Sequence, residues 1–476
     1  MVKKYLLILC GIFPMLLCGQ ANSWINYSQK YFKIKVAKDG IYRVDSVTLA
    51  KAGIPLNSID PRNFQLFFHG KEQYIYVRGE SDGVFNGSKG DYIEFYGQHN
   101  TGALINDASS DSLLYTCVNP IPNKLITAVP NPYYSMFNDT STYFLTWNSS
   151  TTNLRMLNAV NDVSFSSNTP FPYFMAQTVS CGTAQNNNYC AGARLPAGGG
   201  EEVNDPRYTA ATGWFLGAIN MGGSATYYPG VSNVYTGAGA PNAYAKTFFE
   251  GQSTYNTYDH DIAITTSWAS PLYDTVFSGF TTITKTYNNI PANQLTGTVS
   301  ITFTSNTPKI GGVPSNLTAV SYVYFQYPHD TNMGAATSFM MYVPDNTLFD
   351  TKTKTYLSLN NFKNSGDTVR VYDLTSHNRY LVTQSSSSYK VLIPNSGNTK
   401  QCFLTADLQV NKVAKLIPVG TNGNGDFTPY TKKYISPYII ITHPSLWAEA
   451  SAYGNYRYTH NHYEVIQANV EELYDQ

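Results

Sequence analysis

The chain has 476 residues, enough for about two or three domains with full cores, and its 31 basic residues balance 31 acidic ones. With charged residues at only 13%, it offers no basic field to attract nucleic acid or anionic lipid, so neither is expected as a partner. Aromatics reach 14%, led by 39 Tyr, a composition suited to antiparallel strands joined by polar turns.

The first residues read as an export signal. Lys3 and Lys4 precede an apolar stretch, Tyr5 to Leu17, too short to span a bilayer. Gly19, Gln20 and Ala21 supply a small-residue cleavage site, so residues 1–21 are predicted to be a signal peptide. Cys18 would suit lipidation, but Leu17 stands where a small residue is wanted. No later segment is apolar enough to cross a membrane. Export places the protein in the periplasm, on the outer membrane surface or outside the cell, where disulfides can form. Of the remaining cysteines, Cys181 and Cys190 flank the polar stretch Gly182 to Tyr189, and a disulfide between them is expected; the alternative is two buried thiols. Cys117 and Cys402 sit in apolar, strand-like settings and read as core residues. No cysteine pair has zinc-site spacing, and no cofactor-binding pattern is present.

Residues 22–120 are predicted to form an N-terminal β domain. Tyr31 to Val36 alternates as a strand, and Lys38-Asp39-Gly40 is a turn signal that makes Ile41 to Val44 its expected hairpin partner. Ser46 to Ala52 reads as a short helix, capped by Asp45 or Ser46 and ended by Gly53. Phe64 to Phe68, Glu72 to Val77 and Tyr92 to Tyr96 read as further strands.

Residues 121–435 are predicted to be a β-sandwich region with long polar loops. Asp139 to Trp147 is its first clear strand. Ala197 to Gly200 and the glycine-rich stretch Gly217 to Gly239 read as loops, without a phosphate-cradling pattern. Strands are then expected at Lys246–Glu250, Asp261–Thr266, Gly297–Phe303, Val320–Tyr327, Val369–Asp373, Tyr389–Ile393 and Gln401–Thr405, spaced as in two packed antiparallel sheets.

The pattern changes at Ser436. Pro437 to Thr442 is an apolar, β-branched run without alternation, the mark of a strand buried on both faces in a parallel sheet. A helix from about Pro444 to Thr459, a strand from Tyr463 to Gln467 and a helix beginning at Val470 complete one βαβ unit. Such a unit cannot cover both faces of its own sheet. Residues 436–476 are therefore expected to open a larger α/β domain, leaving the chain as the front part of a longer protein. The fold class expected overall is mainly β, ending in that first βαβ unit.

Three segments carry a resemblance to a known family. They are Val36 to Val44 with Gly90 to Gly97, Leu272 to Gly279 with Val323 to Pro328, and Tyr438 to Pro444 with Tyr456-Arg457 and Asn469 to Asp475. In their order they resemble the gingipain-type cysteine peptidases of Bacteroidetes, in particular the sortase-like branch that works with the type IX secretion system. The resemblance implies a caspase-like α/β peptidase domain whose catalytic His and Cys come further along than this chain reaches. It also implies an exported enzyme of proteolysis or cargo processing at the cell surface, with protein or peptide substrates and secretion-complex proteins as partners. No catalytic, cofactor-binding or metal residue is assigned, and the chain alone is expected to be inactive. The alternative is a non-enzymatic module for surface adhesion or for a secretion complex.

Other constellations read as structural. Asp259-His260-Asp261 and His460-Asn461-His462 would split their side chains across strand faces. Asn422 to Asp426 has oxygen ligands at alternate positions but no downstream bidentate Glu, so turn chemistry accounts for it. Asp274 and Asp373 read as turn caps, and His443 as a helix-start residue.

Overall fold

The computed structural model describes residues 22–85, 87, 90–101, 131–192, 194–196, 202–204, 211–253, 258–307, 317–347, 353–430 and 437–476. The predicted signal peptide, Cys117 and the loop 197–200 lie outside the described residues. The fold is mainly β, as the composition and alternation require.

The first unit is a small sandwich of two sheets. β1 (Phe32–Val36) and β2 (Gly40–Asp45) are followed by α1 (Ser46–Lys51), whose N-cap Asp45 accepts the Thr48 N–H at 2.7 Å. β3 (Phe64–Phe68), β4 (Tyr92–Gly97) and β5 (Ser141–Trp147) complete its longer strands. β1 and β2 are not hairpin partners, contrary to the turn signal between them. β1 pairs with β5 and with Ile417–Pro418, whereas β2 pairs with β4 and, in parallel, with Asn411–Lys412. The physical reason is burial. Phe32, Ile34 and Val36 on β1, and Tyr42 and Val44 on β2, all enter one core. Facing sheets bury both sets, which one hairpin could not do without a second layer. β5, expected within the following region, lies between β1 and β3, and its inward Tyr143 and Leu145 fill the same core.

The central region is built on one wide sheet. Its long strands are β6 (Tyr173–Cys181), β7 (Ala243–Gly251), β8 (Thr282–Ile290), β9 (Leu317–Asp330), β10 (Ser338–Val343), β11 (Val369–Asp373) and β12 (Lys400–Ala406). Among the described residues they run in the order β8-β7-β9-β6-β10-β12-β11 within a ten-stranded sheet. Two smaller sheets cover one face of it. The first has four strands, including His260–Thr266 and Ile301–Ser305; the second has three, including Lys354–Asn360 and Ser388–Pro394. One continuous core joins Ile262, Ile264 and Phe303 of the first to Leu357, Val391 and Ile393 of the second through Phe249, Phe325 and Leu404 of the wide sheet. The predicted sandwich is thus two sandwiches side by side sharing one wall. Gly217 to Gly239 is not all loop: Gly217–Asn220 pairs with β9 and buries Ile219, and Ser224–Tyr227 pairs with Ile301–Ser305. The strand expected from Gly297 begins only at Ile301, after Gly297 turns the chain at φ +83°.

The chain ends in β13 (Tyr438–Thr442), α2 (Trp447–Asn461), β14 (Val465–Asn469) and α3 (Val470–Asp475). β13 and β14 pair in parallel, from Tyr438↔Val465 to Thr442↔Asn469, as the sequence predicts. Among the described residues, no helix is long and apolar enough to cross a membrane.

Candidate functional site

In open α/β sheets, ligands gather at the carboxyl ends of the parallel strands. Here that place is formed by Thr442 and His443 after β13, and by Asn469 and Glu471 after β14. Asn469 caps α3 by accepting the Glu471 N–H at 3.0 Å. His443 Nδ1 accepts the Ser445 N–H at 3.2 Å, so the imidazole opens the short helical turn Pro444–Leu446. With Nδ1 used as an acceptor, a neutral ring carries its proton on Nε2, which lies 3.4 Å from Glu471 Oε1. Both side chains are more than half exposed. The arrangement can orient a histidine, but Cys402, a thiol of the described residues, is wholly buried in the sandwich core. Burial pushes the Cys402 thiol well above its ordinary value, the opposite of what a nucleophile needs.

The two faces of the β13–β14 pair differ. α2 lies on one face and approaches through Gly454, where a Cβ would stand 3.1 Å from Val465 Cγ1 and 3.4 Å from Ile440 Cδ1. Arg457 sits over the Tyr438 and Tyr463 rings at 4.6 and 5.0 Å. Leu446, in the turn before α2, is exposed, whereas the Tyr453 hydroxyl reaches the Tyr438 hydroxyl at 3.2 Å. The other face presents Ile439 and Ile441, 59% and 60% exposed. The unit is nevertheless fastened to the first sandwich through α3. Glu472 is buried and accepts the Thr428 N–H and the Thr421 hydroxyl, the latter at 3.0 Å. Asp475 meets Lys33 on β1 at 2.7 Å.

A second cluster lies inside the central region. Asp259, His260 and Ser253 meet in the interior, with Ser253 Oγ bonded to Asp259 and 3.1 Å from His260 Nε2. The sequence did not single out Ser253, six positions before Asp259. The residue types match a hydrolytic triad, but the geometry does not. Asp259 Oδ2 lies 3.3 Å from the same Nε2, while Nδ1 faces the Thr318 hydroxyl at 3.3 Å. In a triad the carboxylate holds Nδ1 and the serine meets Nε2. The cluster is buried and structural: Asp259 Oδ1 accepts the Gly279 N–H at 3.0 Å and pins that turn. Asp261 accepts from Asn306 at 3.1 Å, on the other side of its strand.

Cys181 and Cys190 are not joined in this structure. The Cys181 thiol meets Asn131, and burial pushes it up to about 11. The Cys190 thiol reaches the carboxyl of Glu250 on β7. Asp426 is engaged by Lys30 at 2.6 Å and by Asn424 at 2.9 Å, which accounts for the polar turn 422–426. Asp373 accepts the Thr375 and Ser376 N–H groups at 2.9 Å and caps its turn. Asp274 lies within the strand Tyr273–Phe277, not at its end. His460 and His462 are exposed at the end of α2, with His462 as the left-handed C-cap. Among the described residues no group of three or more His, Cys, Asp or Glu side chains could hold a metal ion.

No protein-family model matches the sequence. No curated protein matches it either. Among solved structures, the chain is similar to dimeric latent PorU from Porphyromonas gingivalis, at 13% identity and a TM-score of 0.48, over 94% of this chain and 38% of that one. The chain therefore spans well under half the length of that protein.

Proposed function

We propose that the chain is the β-rich front part of an exported, gingipain-like cysteine peptidase or sortase, acting in proteolysis or in type IX secretion cargo processing at the cell surface. The observation that carries this reading is the β13-α2-β14-α3 unit. It has the parallel register of an α/β domain, one helix-covered face and one open isoleucine face. An open face of that kind fits a sheet extended and covered by further βα units. The motif order from Val36 to Asp475 supports the same reading. In it, the β sandwiches are a rigid base, and α3 fixes the start of the peptidase domain on that base through Glu472 and Asp475. The attacking thiolate and its histidine belong to the further units. Substrates are proteins or peptides.

The test is to express the longest reading frame containing this chain and label it with a thiol-directed peptidyl probe. Labelling of a cysteine beyond Gln476 is expected. A frame that stops at Gln476, or a complete protein that takes no label, favours the second reading, a non-enzymatic adhesion or secretion-complex module. That reading draws on the absence, among the described residues, of a cysteine beside His443.

A further inference from the structure

Segment 131–139 crosses from the first sandwich to the outer face of the wide sheet. At the sheet end, buried Asn131 donates through Nδ2 to the Gly182 carbonyl at 2.5 Å. The Tyr133 ring packs 5.0 Å from Tyr322 and 6.0 Å from Tyr324, both on β9. The Trp214 indole donates to the Met136 carbonyl at 3.2 Å. At the other end, Ser135 N–H donates to Asn100 O at 3.1 Å, and Asn100 N–H to Asp139 O at 2.9 Å.

One side chain closes this clasp. His99 Nδ1 lies 2.7 Å from Asp39 Oδ1, and its Nε2 lies 3.0 Å from the Tyr133 carbonyl oxygen. Asp39 Oδ1 also accepts the His99 backbone N–H at 2.8 Å, which holds the carboxylate in place. Both ring nitrogens thus face oxygens that can only accept. A neutral imidazole has one N–H and satisfies one of them; an imidazolium satisfies both.

We infer that His99 is a protonation-dependent latch that fastens segment 131–139 across the tyrosine-lined outer face of the wide sheet. The charged groups around it are Asp39, on the turn between β1 and β2, and Asp139, on the segment itself; both are acidic. The Asp39 hydrogen bond raises the His99 pKa above the ordinary 6.5, against the opposing effect of burial. A raised folded value means the latched state holds the proton more tightly. The latch is therefore fully engaged below about 6.5 and is lost as pH rises through the folded value. His99 is 25% exposed and Asp39 46%, so solvent screens the pair and the response is a local opening rather than global unfolding. Opening lifts Tyr133 from Tyr322 and Tyr324.

Two measurements on the full chain test this. Histidine NMR should show His99 titrating above 6.5, and hydrogen exchange, corrected for intrinsic rates, should show peptide 131–139 losing protection over the same pH range. Asp39→Asn should lower the His99 value and move the loss of protection with it. His99→Gln, which keeps one donor, should leave the segment equally open at all pH values. A His99 that titrates at or below 6.5, or protection in the unaltered chain that ignores its titration, overturns the proposal.

Discussion

Glu94 Oε2 on β4 receives Arg379 Nη1 at 2.7 Å, so a buried carboxylate of the first sandwich holds a buried guanidinium of the wide sheet. Arg43 on β2 takes the other oxygen at 2.5 Å, and the Tyr372 hydroxyl adds a contact at 3.2 Å. Arg379 also lies over the Tyr76 ring at 3.2 Å. Around this network sits an apolar seam of Ile41, Met156, Tyr372, Phe403 and Val410, drawn from both units. The two sandwiches are therefore joined by a charged centre with an apolar surround.

Glu94→Ala should be strongly destabilising, because it strands Arg379 without its anion; a loss of about 3–5 kcal/mol is expected for breaking one side of a buried pair. Tyr372→Phe should lose only about 1 kcal/mol, the value of one hydrogen bond. Denaturant unfolding followed by tryptophan fluorescence separates the two. Equal losses would mean that the seam, not the charge network, holds the units together.

The central region carries two buried groups with opposite pH behaviour, Glu250 on the wide sheet and His260 on the four-stranded sheet that covers it. Burial raises the Glu250 pKa well above 4.5, and its Oε2 has no hydrogen-bond partner among the described residues. Its folded value exceeds the unfolded one, so its contribution is intact below 4.5 and is lost as pH rises toward the folded value. Burial lowers the His260 pKa below 6.5, so stability there is lost as pH falls below 6.5. Glu250→Gln should therefore stabilise the sandwich increasingly above pH 4.5, by about 1.4 kcal/mol per pH unit until the folded value is reached. Melting curves across pH 4 to 8 measure this; a gain independent of pH would show that Glu250 is ionised in the fold.

Residues 437–476 should behave as two halves. α3 is tied to the first sandwich, so Glu472→Ala should free α3 and expose Lys33, seen as faster exchange in 421–430 and 465–476. The Ile439/Ile441 face should be replaceable: Ile439→Lys with Ile441→Lys should reduce aggregation and leave the sandwich melting temperature within about 1 °C, since side chains already exposed contribute little burial. A drop in melting temperature would mean that this face packs on the rest of the chain in solution.

The isolated chain should show no peptidase or transpeptidase activity. Cys402 is wholly buried, and His443 spends Nδ1 on a helix cap. Thiol-dependent peptide cleavage that disappears in Cys402→Ser or Cys190→Ser would contradict this.

Oxidation in an exporting compartment is proposed to join Cys181 and Cys190, which takes Cys190 from Glu250 and should raise stability by about 2–3 kcal/mol through the closed loop. Mass spectrometry that finds both thiols alkylated without prior reduction would refute the bridge.

The sequence by itself determined the fold class, mainly β, and the type of several elements, though not those within Gly217 to Gly239. Period-two alternation identified the strand at Tyr31–Val36, turn-bounded spacing identified Val369–Asp373 and Gln401–Thr405, and an unalternated isoleucine run identified a parallel strand within Pro437–Thr442. Only the tertiary structure decided which strands pair. The Lys38-Asp39-Gly40 turn looks the same whether the chain reverses within one sheet or passes to the sheet opposite; the common core of Ile34 and Val44 chose the second. Asn411–Lys412 and Ile417–Pro418 joined β2 and β1 across more than 360 residues, a pairing that no local signal announces. The same holds for His99 with Asp39 and Tyr133, and for Glu94 with Arg379. Each side chain is ordinary in its own segment and acquires its partner only when distant strands bring acceptor oxygens within hydrogen-bonding reach.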